Sequence, residues 1–548
     1  MENRFESIIS YLESFENVQI TEPFKENENF ISGKIRIEES GVTLEFETEI
    51  KPQYPFQSHD VETIRFVNKE LLPFNHVNAD GSICIHTLHN PDLKSKLYFD
   101  IDSLKRWIKK YYVEGNQDKH YDHIVVTEHT DVIPKNCFLF TEVNYTFKKG
   151  DFGTFQYTFL ARGFDHEADR DTFNVTRFLT GKSVVISNWS SFYLKREYKE
   201  GIYLFIEKAP VTNGRFIIEN WQDLEKYVRQ DFMSFLYQLK KKSPLKVGSE
   251  KNLPLLIGYN IPDNEIHWQC AMIDTDNFPN IGRDLGKGLG WIGQFKNMQI
   301  KWSSTKNCSY KYFFGRGKLS EKLTEKKILI IGIGAVGSII ATTLSRGGCK
   351  YISLADYDSK QPENVCRSEY SFDTGINVKV IDLGRRLIEI SPFVEILPDS
   401  YLMDAIKYFI NNKSLKEDIR KRIEEYDLII DCTTDNDVAY ILDSLFLQNE
   451  IICISITNNA RELLCSVKPD LYHWIMNKNN DLQRGDEEMY EPLGCWNPTF
   501  KASYNDINVL VQFAMKHINV SLEQGKMLRH FYLSTELEED FKIKLHQF

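Results

Sequence analysis

The sequence predicts an α/β protein. Its main element is a doubly wound, mostly parallel sheet, preceded by an N-terminal α+β domain and an α+β linker domain. Three observations carry this. Beyond about residue 296, apolar runs alternate with helical stretches, as in KKILIIGIGAVGSIIATTL, KYISLADYD, EYDLIIDCTTDN and NEIICISIT. Strands alternating with helices close as a parallel sheet with helices on both faces. The first 125 residues run helix, alternating strands, loop and helix, a compact α+β pattern. Between these lies aromatic-rich strand text with one helical stretch. The expected domains are therefore residues 1–125, 126–295 and 296–548.

The 548 residues suit about three or four domains at the usual size. A chain 42% hydrophobic and 26% charged is neither disordered nor collagen-like. A net charge of −11 speaks against coating nucleic acid, whose phosphates need a basic face. Residues 328–345 carry no charge over 18 positions, yet contain three glycines and four hydroxyl residues. They read as a buried strand, a tight turn and a buried helix rather than a membrane span. No cationic stretch precedes an apolar core at the start, so no secretory signal is expected. The ten cysteines are scattered, without CxxC, as in a reducing, cytoplasmic setting.

In the first domain, Phe5, Ile8, Ile9, Leu12 and Phe15 form one helical stripe. ISGKIRIE and VTLEFETEI alternate as paired strands around a Glu-Ser-Gly turn, and Pro52, Tyr54 and Pro55 end that pattern. The loop NADGSICI follows, then a helix over 97–112 with Leu104, Trp107, Ile108 and Tyr111 on one face. In the middle domain NYTF, TFQYTFL, SVVISNW and IYLFI are strands, and a helix is predicted from about Trp221 to Leu239. No catalytic signature stands out there.

The third domain carries the first chemistry. Gly332, Gly334 and Gly337 form GxGxxG directly after a strand and before a helix. Glycines allow a tight turn and close approach of backbone to phosphate, and the helix N-terminus supplies unpaired N–H donors. Asp356 ends the next strand, 19 residues after Gly337, where an acid accepts from ribose hydroxyls. To this point NAD and ATP fit equally. Arg367 and Lys379 would add two cations near a triphosphate, where pyrophosphate must leave. Asp435, in a loop after another strand, could help hold the magnesium that ATP brings.

GIGAVG, ADYD, ENVCR, the Lys379 helix and CTTDN together resemble the adenylation domain of the ubiquitin-activating and ThiF/MoeB family, over about residues 320–510. In that family the domain adenylates the C-terminal glycine of a ubiquitin-fold protein. The resemblance implies ATP and Mg2+. It implies Asp356 on the ribose, Asn364, Arg367 and Lys379 on the phosphates, and Asp435 on magnesium. It also implies a homodimer through this domain, with Arg316 corresponding to an arginine that reaches the partner protomer's ATP. Two departures stand out: the second threonine of Asp431-Cys-Thr-Thr-Asp435, and the lack of zinc-binding cysteine pairs. The second argues against a sulfur-carrier role.

An acyl-adenylate reacts readily with thiolate, but an ordinary thiol is only about 3% ionised at pH 7. Cys495 sits in Gly494-Cys495-Trp496-Asn497-Pro498. Asn497 would cap a helix with Pro498 in its first turn, running into ASYNDINVLVQFAMKHI and favouring a thiolate. Cys495 is the expected nucleophile; Cys453 and Cys465, in apolar strands, are expected in the core. Cys84 stands in NADGSICI, after Tyr54-Pro55-Phe56 and before the Trp107 helix. That order resembles a ubiquitin-conjugating enzyme over residues 1–125. The resemblance makes Cys84 a thioester carrier. The family's oxyanion-steadying asparagine lies eight residues before its cysteine; that position is His76 here, and Asn78 is six before. Either would donate.

An activating and a conjugating domain on one chain resemble the bacterial fusion enzymes of type II CBASS anti-phage operons. That resemblance implies priming of a cGAS-like nucleotidyltransferase by conjugation of its C-terminal tail to an acceptor amine, a protein lysine or a small molecule. A fusion enzyme acting on a ubiquitin-like modifier in a sibling operon is the alternative. An NAD oxidoreductase and a non-catalytic nucleotide-binding scaffold are the competing classes. No membrane partner is expected.

Overall fold

The structure, a computed structural model, describes residues 4–27, 29–59, 61–116, 135–165, 168–181, 183–212, 214–242, 252–287, 290–403, 406, 413–482, 501–536 and 540–548. Two compact units divide the chain: Met1–Ser187 with Glu197–Asn307, and Asn188–Arg196 with Cys308–Phe548.

The first unit opens with the helix Arg4–Ser14, which buries Ile8 and Leu12. Phe5, Ile9 and Phe15 of the expected stripe pack at the edge of the same core. The strands Val18–Glu26, Ile31–Glu39, Val42–Ile50 and Ile64–Val67 form an antiparallel meander in sequence order. Their alternation is what sends Ile35, Ile37 and Phe46 inward. Leu93–Trp107 is helical and capped by Asp92, which accepts from the Ser95 N–H at 2.8 Å. The expected helix therefore starts four residues earlier, because the Asp92 cap lies ahead of the apolar stripe. It continues through a wider-wound turn, Ile108–Val113.

The aromatic middle segment closes on itself. The strands run Asn136–Phe140, Lys301–Asn307, Glu265–Asp274, Asn252–Ile261, Tyr198–Phe205, Phe152–Asp165 and Ala168–Leu179, and the last pairs back with the first. The result is a seven-stranded barrel, with Val184–Ile186 added beside Ala168–Leu179. Two register shifts between Phe152–Asp165 and Ala168–Leu179 add the local bend that closure requires. Alternate residues form one aromatic cluster: Phe138, Phe155, Tyr157, Phe173, Phe178, Tyr203 and Trp268. The opposite face of the strands packs against the helix Gln230–Lys242. The single helix expected over 221–239 is two, Trp221–Leu224 and Gln230–Lys242, because Val228 is extended. The Gln230 side chain is held by the Gly293 backbone, donating at 3.1 Å and accepting at 3.0 Å.

In the second unit the sheet order is Glu395–Asp399, Tyr351–Ala355, Lys327–Ile331, Leu428–Asp431 and Glu450–Thr457, all parallel. Glu462–Val467, Phe531–Glu536 and Lys542–Gln547 extend it antiparallel. Ile328 and Ile330 meet the helices Ala335–Arg346, Lys379–Ile390 and Tyr504–Glu523 on one face. Leu329 and Ile331 meet Lys413–Ile423, Asn436–Ser444 and Leu471–Leu482 on the other. Strand order reverses between Lys327–Ile331 and Leu428–Asp431, opening a crevice at their carboxyl ends. Among the described residues no helix is long and apolar enough to cross a membrane. The uncharged run 328–345 is strand, turn and helix.

Candidate functional site

The crevice holds a cavity of about 460 Å³ lined by Gly332, Gly334, Asp356, Asn364, Arg367 and Lys379. Six of the residues singled out from sequence thus converge. Gly332 has φ +78°, and a Cβ there would lie 2.8 Å from the Thr433 backbone. Gly334 precedes the helix Ala335–Arg346 and faces open space. Gly337 does not line the cavity. Its added Cβ would lie 2.0 Å from the Gly332 carbonyl oxygen, so it lets the helix press onto the strand end.

Asp356 is buried, and each of its oxygens accepts one backbone N–H. Oδ2 accepts from the Ile333 N–H and Oδ1 from the Asp358 N–H, each at 2.9 Å. The carboxylate is thereby locked to the glycine turn. Tyr370 donates to the Ile333 carbonyl at 2.6 Å. Burial, with Asp356 nearby, pushes that phenol far above its ordinary range. Lys379 opens the helix Lys379–Ile390, and its Nζ lies 2.6 Å from Asp358 Oδ2. The Asp356-Tyr-Asp358 segment places Asp358 with the site in sequence but gives it no role; the structure makes it the partner of Lys379. Asn364 closes a short turn, its Oδ1 accepting from the Gln361 N–H at 2.9 Å. Arg316 is exposed in the turn after Tyr310–Phe313.

Asp435 lies next door, not in this cavity. It lines a neighbouring cavity of about 350 Å³, and Thr434 borders both. Asp435 caps the helix Asn436–Ser444, accepting from the Asp437 N–H at 3.0 Å, while its own N–H meets Thr433 Oγ1 at 3.1 Å. One carboxylate beside threonine hydroxyls is a hard-oxygen donor set. It suits a magnesium whose other ligands are phosphate oxygens and water. Beneath it Asp431 is fully buried, and burial raises its pKa. It accepts from the Thr433 N–H at 2.9 Å and Oγ1 at 2.7 Å, fixing the residue against which Gly332 packs. Cys453 and Cys465 are buried, and burial pushes both thiols up.

Cys495 lies outside the described residues. The helix expected to start at Pro498 starts at Tyr504. Ser503 and Asp506 form a reciprocal capping box there, each side chain accepting from the other's backbone N–H.

Cys84, in the first unit, is half-buried. Its N–H donates to the His76 carbonyl at 2.8 Å, and its Sγ lies 3.4 Å from His86 Nε2. His76 adopts φ +58°, its ring 4.8 Å from that of Tyr111. Asn78 donates from Nδ2 to Ser82 Oγ at 2.9 Å. Behind the segment lies a buried ionic group that sequence reading missed. Lys96 Nζ sits 2.7 Å from Glu62, 2.5 Å from Asp100 and 2.7 Å from Thr87 Oγ1. Burial works to raise Glu62, but hydrogen bonds from Lys96 and Gln57 outweigh it and hold that carboxyl low. At Asp100 burial prevails and the pKa is raised. From the barrel side, buried Arg215 donates to the carbonyls of Phe74 and, at 3.0 Å, Val77.

Residues 309–458 match the ThiF family model, so the doubly wound sheet with its glycine turn contains a ThiF-family domain. The chain is 27% identical over 384 residues to the ATP-dependent ubiquitin transferase-like protein Cap2 of Enterobacter hormaechei subsp. hoffmannii, covering 64% of this chain and 62% of that protein. That alignment is too long to be confined to the ThiF match. Ubiquitin-like modifier-activating enzyme 5 of Aedes aegypti is 31% identical over 20% of this chain and 28% of that protein. Molybdopterin-synthase adenylyltransferase of Haemophilus influenzae is 27% identical over 22% of this chain and 46% of that enzyme. The chain thus spans less than two thirds of each of these relatives.

Proposed function

We propose that this chain is an ATP-dependent adenylating and acyl-transferring enzyme that activates a protein C-terminal carboxylate and conjugates it to an amine. The observation that carries this is the convergence of Gly332, Gly334, Asp356, Arg367 and Lys379 on one cavity at the sheet's switch point. Two cations on one cavity suit a triphosphate from which pyrophosphate must leave.

The carboxylate oxygen attacks the α-phosphorus of ATP, forming an acyl-adenylate and releasing pyrophosphate. Arg367 and Lys379 neutralise charge developing on the phosphates, and Asp356 holds the ribose. The incoming triphosphate draws Lys379 from Asp358. Asp435 would help hold the magnesium of ATP, which would supply further positive charge on the same phosphates. The Cys495 thiol attacks the acyl carbon and AMP leaves. Thiol exchange passes the acyl group to Cys84, and an amine then displaces that sulfur, giving an amide. His76 or Asn78 steadies the oxyanion. Two thioesters divide one difficult acylation into easier steps.

We further propose three functional segments, 1–125, 126–295 and 296–548, carrying conjugation, linkage and adenylation. The setting we infer is the bacterial cytoplasm, with a homodimer formed through the adenylation domain. The substrate is the tail of a cGAS-like nucleotidyltransferase in CBASS-type defence. The similarity to Cap2 supports that substrate; a ubiquitin-fold modifier is the alternative. ATP–pyrophosphate exchange tests the reading. Exchange should require a tail ending in a free carboxylate and should disappear when that end is amidated. Exchange indifferent to the tail would refute it.

A further inference from the structure

Burial alternates along residues 83–86: Ile83 and Ile85 are buried in the core, Cys84 is half-buried and His86 exposed. A two-residue repeat therefore turns Cys84 and His86 to the same outward side. The side chains meet there, with Sγ and Nε2 3.4 Å apart. The backbone between them is clamped at both ends. Before it, the Cys84 N–H holds the His76 carbonyl, and the Ile83 N–H holds the Phe66 carbonyl, each at 2.8 Å. After it, Thr87 donates to Asp100 Oδ1 at 2.6 Å and accepts from Lys96 Nζ at 2.7 Å. The His86 side chain is exposed. A thiol beside an imidazole on a pinned segment is a nucleophile–base arrangement.

We propose that His86 is the proton-transfer residue of the Cys84 centre. The inference rests on Cys84 being a thioester carrier and adds the residue that moves its protons. On loading, the Cys84 S–H bond breaks and its proton passes to His86 Nε2. The sulfur bonds to the acyl carbon as the previous sulfur leaves, and that sulfur takes the proton from Nε2, which leaves His86 neutral. On discharge, an amine nitrogen bonds to the acyl carbon and gives one proton to Nε2. The carbon–sulfur bond breaks and His86 returns the proton to the Cys84 sulfur. Thioester plus amine becomes amide plus thiol, with no other reactant. The adjacent buried group, Glu62, Lys96 and Asp100, acts only through Thr87 and positions the pair.

The test uses the full chain. Iodoacetamide alkylation of Cys84 at pH 7, followed peptide by peptide in the mass spectrometer, should be roughly tenfold slower in H86Q than in wild type. H86N serves as a second variant, and unchanged thermal melting shows that folding is intact. A peptide thioester then acylates Cys84 directly, bypassing ATP and Cys495. Its discharge to free lysine should slow about a hundredfold in H86Q. Equal alkylation rates in wild type and both variants would overturn the proposal. Normal alkylation dependence on His86 with no acyl uptake by Cys84 would instead overturn the thioester reading and, with it, the catalytic use of the pair.

Discussion

The nucleotide cavity and the Cys84 segment hold their reacting groups by opposite means. In the cavity the backbone does the work: Gly332 folds over Thr433, and Asp356 is tied by two backbone N–H groups. At Cys84 backbone hydrogen bonds fix only the leading end of a short run, and buried side-chain charges, Lys96, Glu62 and Asp100, fix the other end through Thr87, while Arg215 of the barrel holds the preceding carbonyls of Phe74 and Val77. The first kind of site fails when atoms are added and the second when a charge is removed. Substitutions that take away one cation should therefore separate the two.

The largest effect on stability is expected at Lys96. Lys96→Met leaves Glu62 and Asp100 buried without their counter-charge, costing about 3–5 kcal/mol. Calorimetry should show the first unit melting earlier while the transition of the second stays in place. At Lys379 the same kind of deletion should spare the fold, because its partner Asp358 is half exposed to water. Lys379→Ala is expected to cut ATP–pyrophosphate exchange by about 10²- to 10³-fold without moving the melting point.

The barrel adds a pH signature confined to the first unit. Burial holds the His267 imidazole down at about 4, against 6.5 in the unfolded chain. The folded state thus resists protonation, so stability is full above pH 6.5 and falls as pH drops towards 4. The loss should reach about 3 kcal/mol. Urea midpoints measured across that range should flatten in His267→Gln. The smallest effect is expected at Arg215, where Arg215→Ala removes charged hydrogen bonds worth about 1.5–3 kcal/mol. Slower discharge from Cys84 with exchange unchanged would place its influence on the thiol segment; slowed exchange would break the contrast between the two sites.

The two sites also differed in how far sequence revealed them. Gly332, Gly334 and Gly337 stand within one strand–turn–helix, and Asp356 ends the neighbouring strand, so local pattern sufficed. Lys379 was legible as a cation, but its pairing with Asp358 depends on how the loop after Tyr351–Ala355 meets the start of the helix Lys379–Ile390. Lys96 on a helix reads as a solvated face; only the fold brings Glu62 from 34 residues away to cover it. Barrel closure was hidden because the pairing of Asn136–Phe140 with Ala168–Leu179 is set by register across distant strands. Ser503 was missed as a helix start because Asn497-Pro498 supplied an earlier, weaker signal. His86 did leave a trace: in Ile-Cys-Ile-His apolar residues alternate with the cysteine and histidine, a two-residue pattern that puts those two on one side.

The most direct measurement is the mass of acyl adducts on the two cysteines, trapped under acid with ATP, magnesium and a candidate tail peptide. Expected is a dithiothreitol-labile adduct on Cys495 that accumulates in C84A, and none on either cysteine in C495A. Acylation of Cys84 in C495A at the wild-type rate, or no reducible adduct on Cys495 with any tail that supports exchange, would contradict the two-thiol relay.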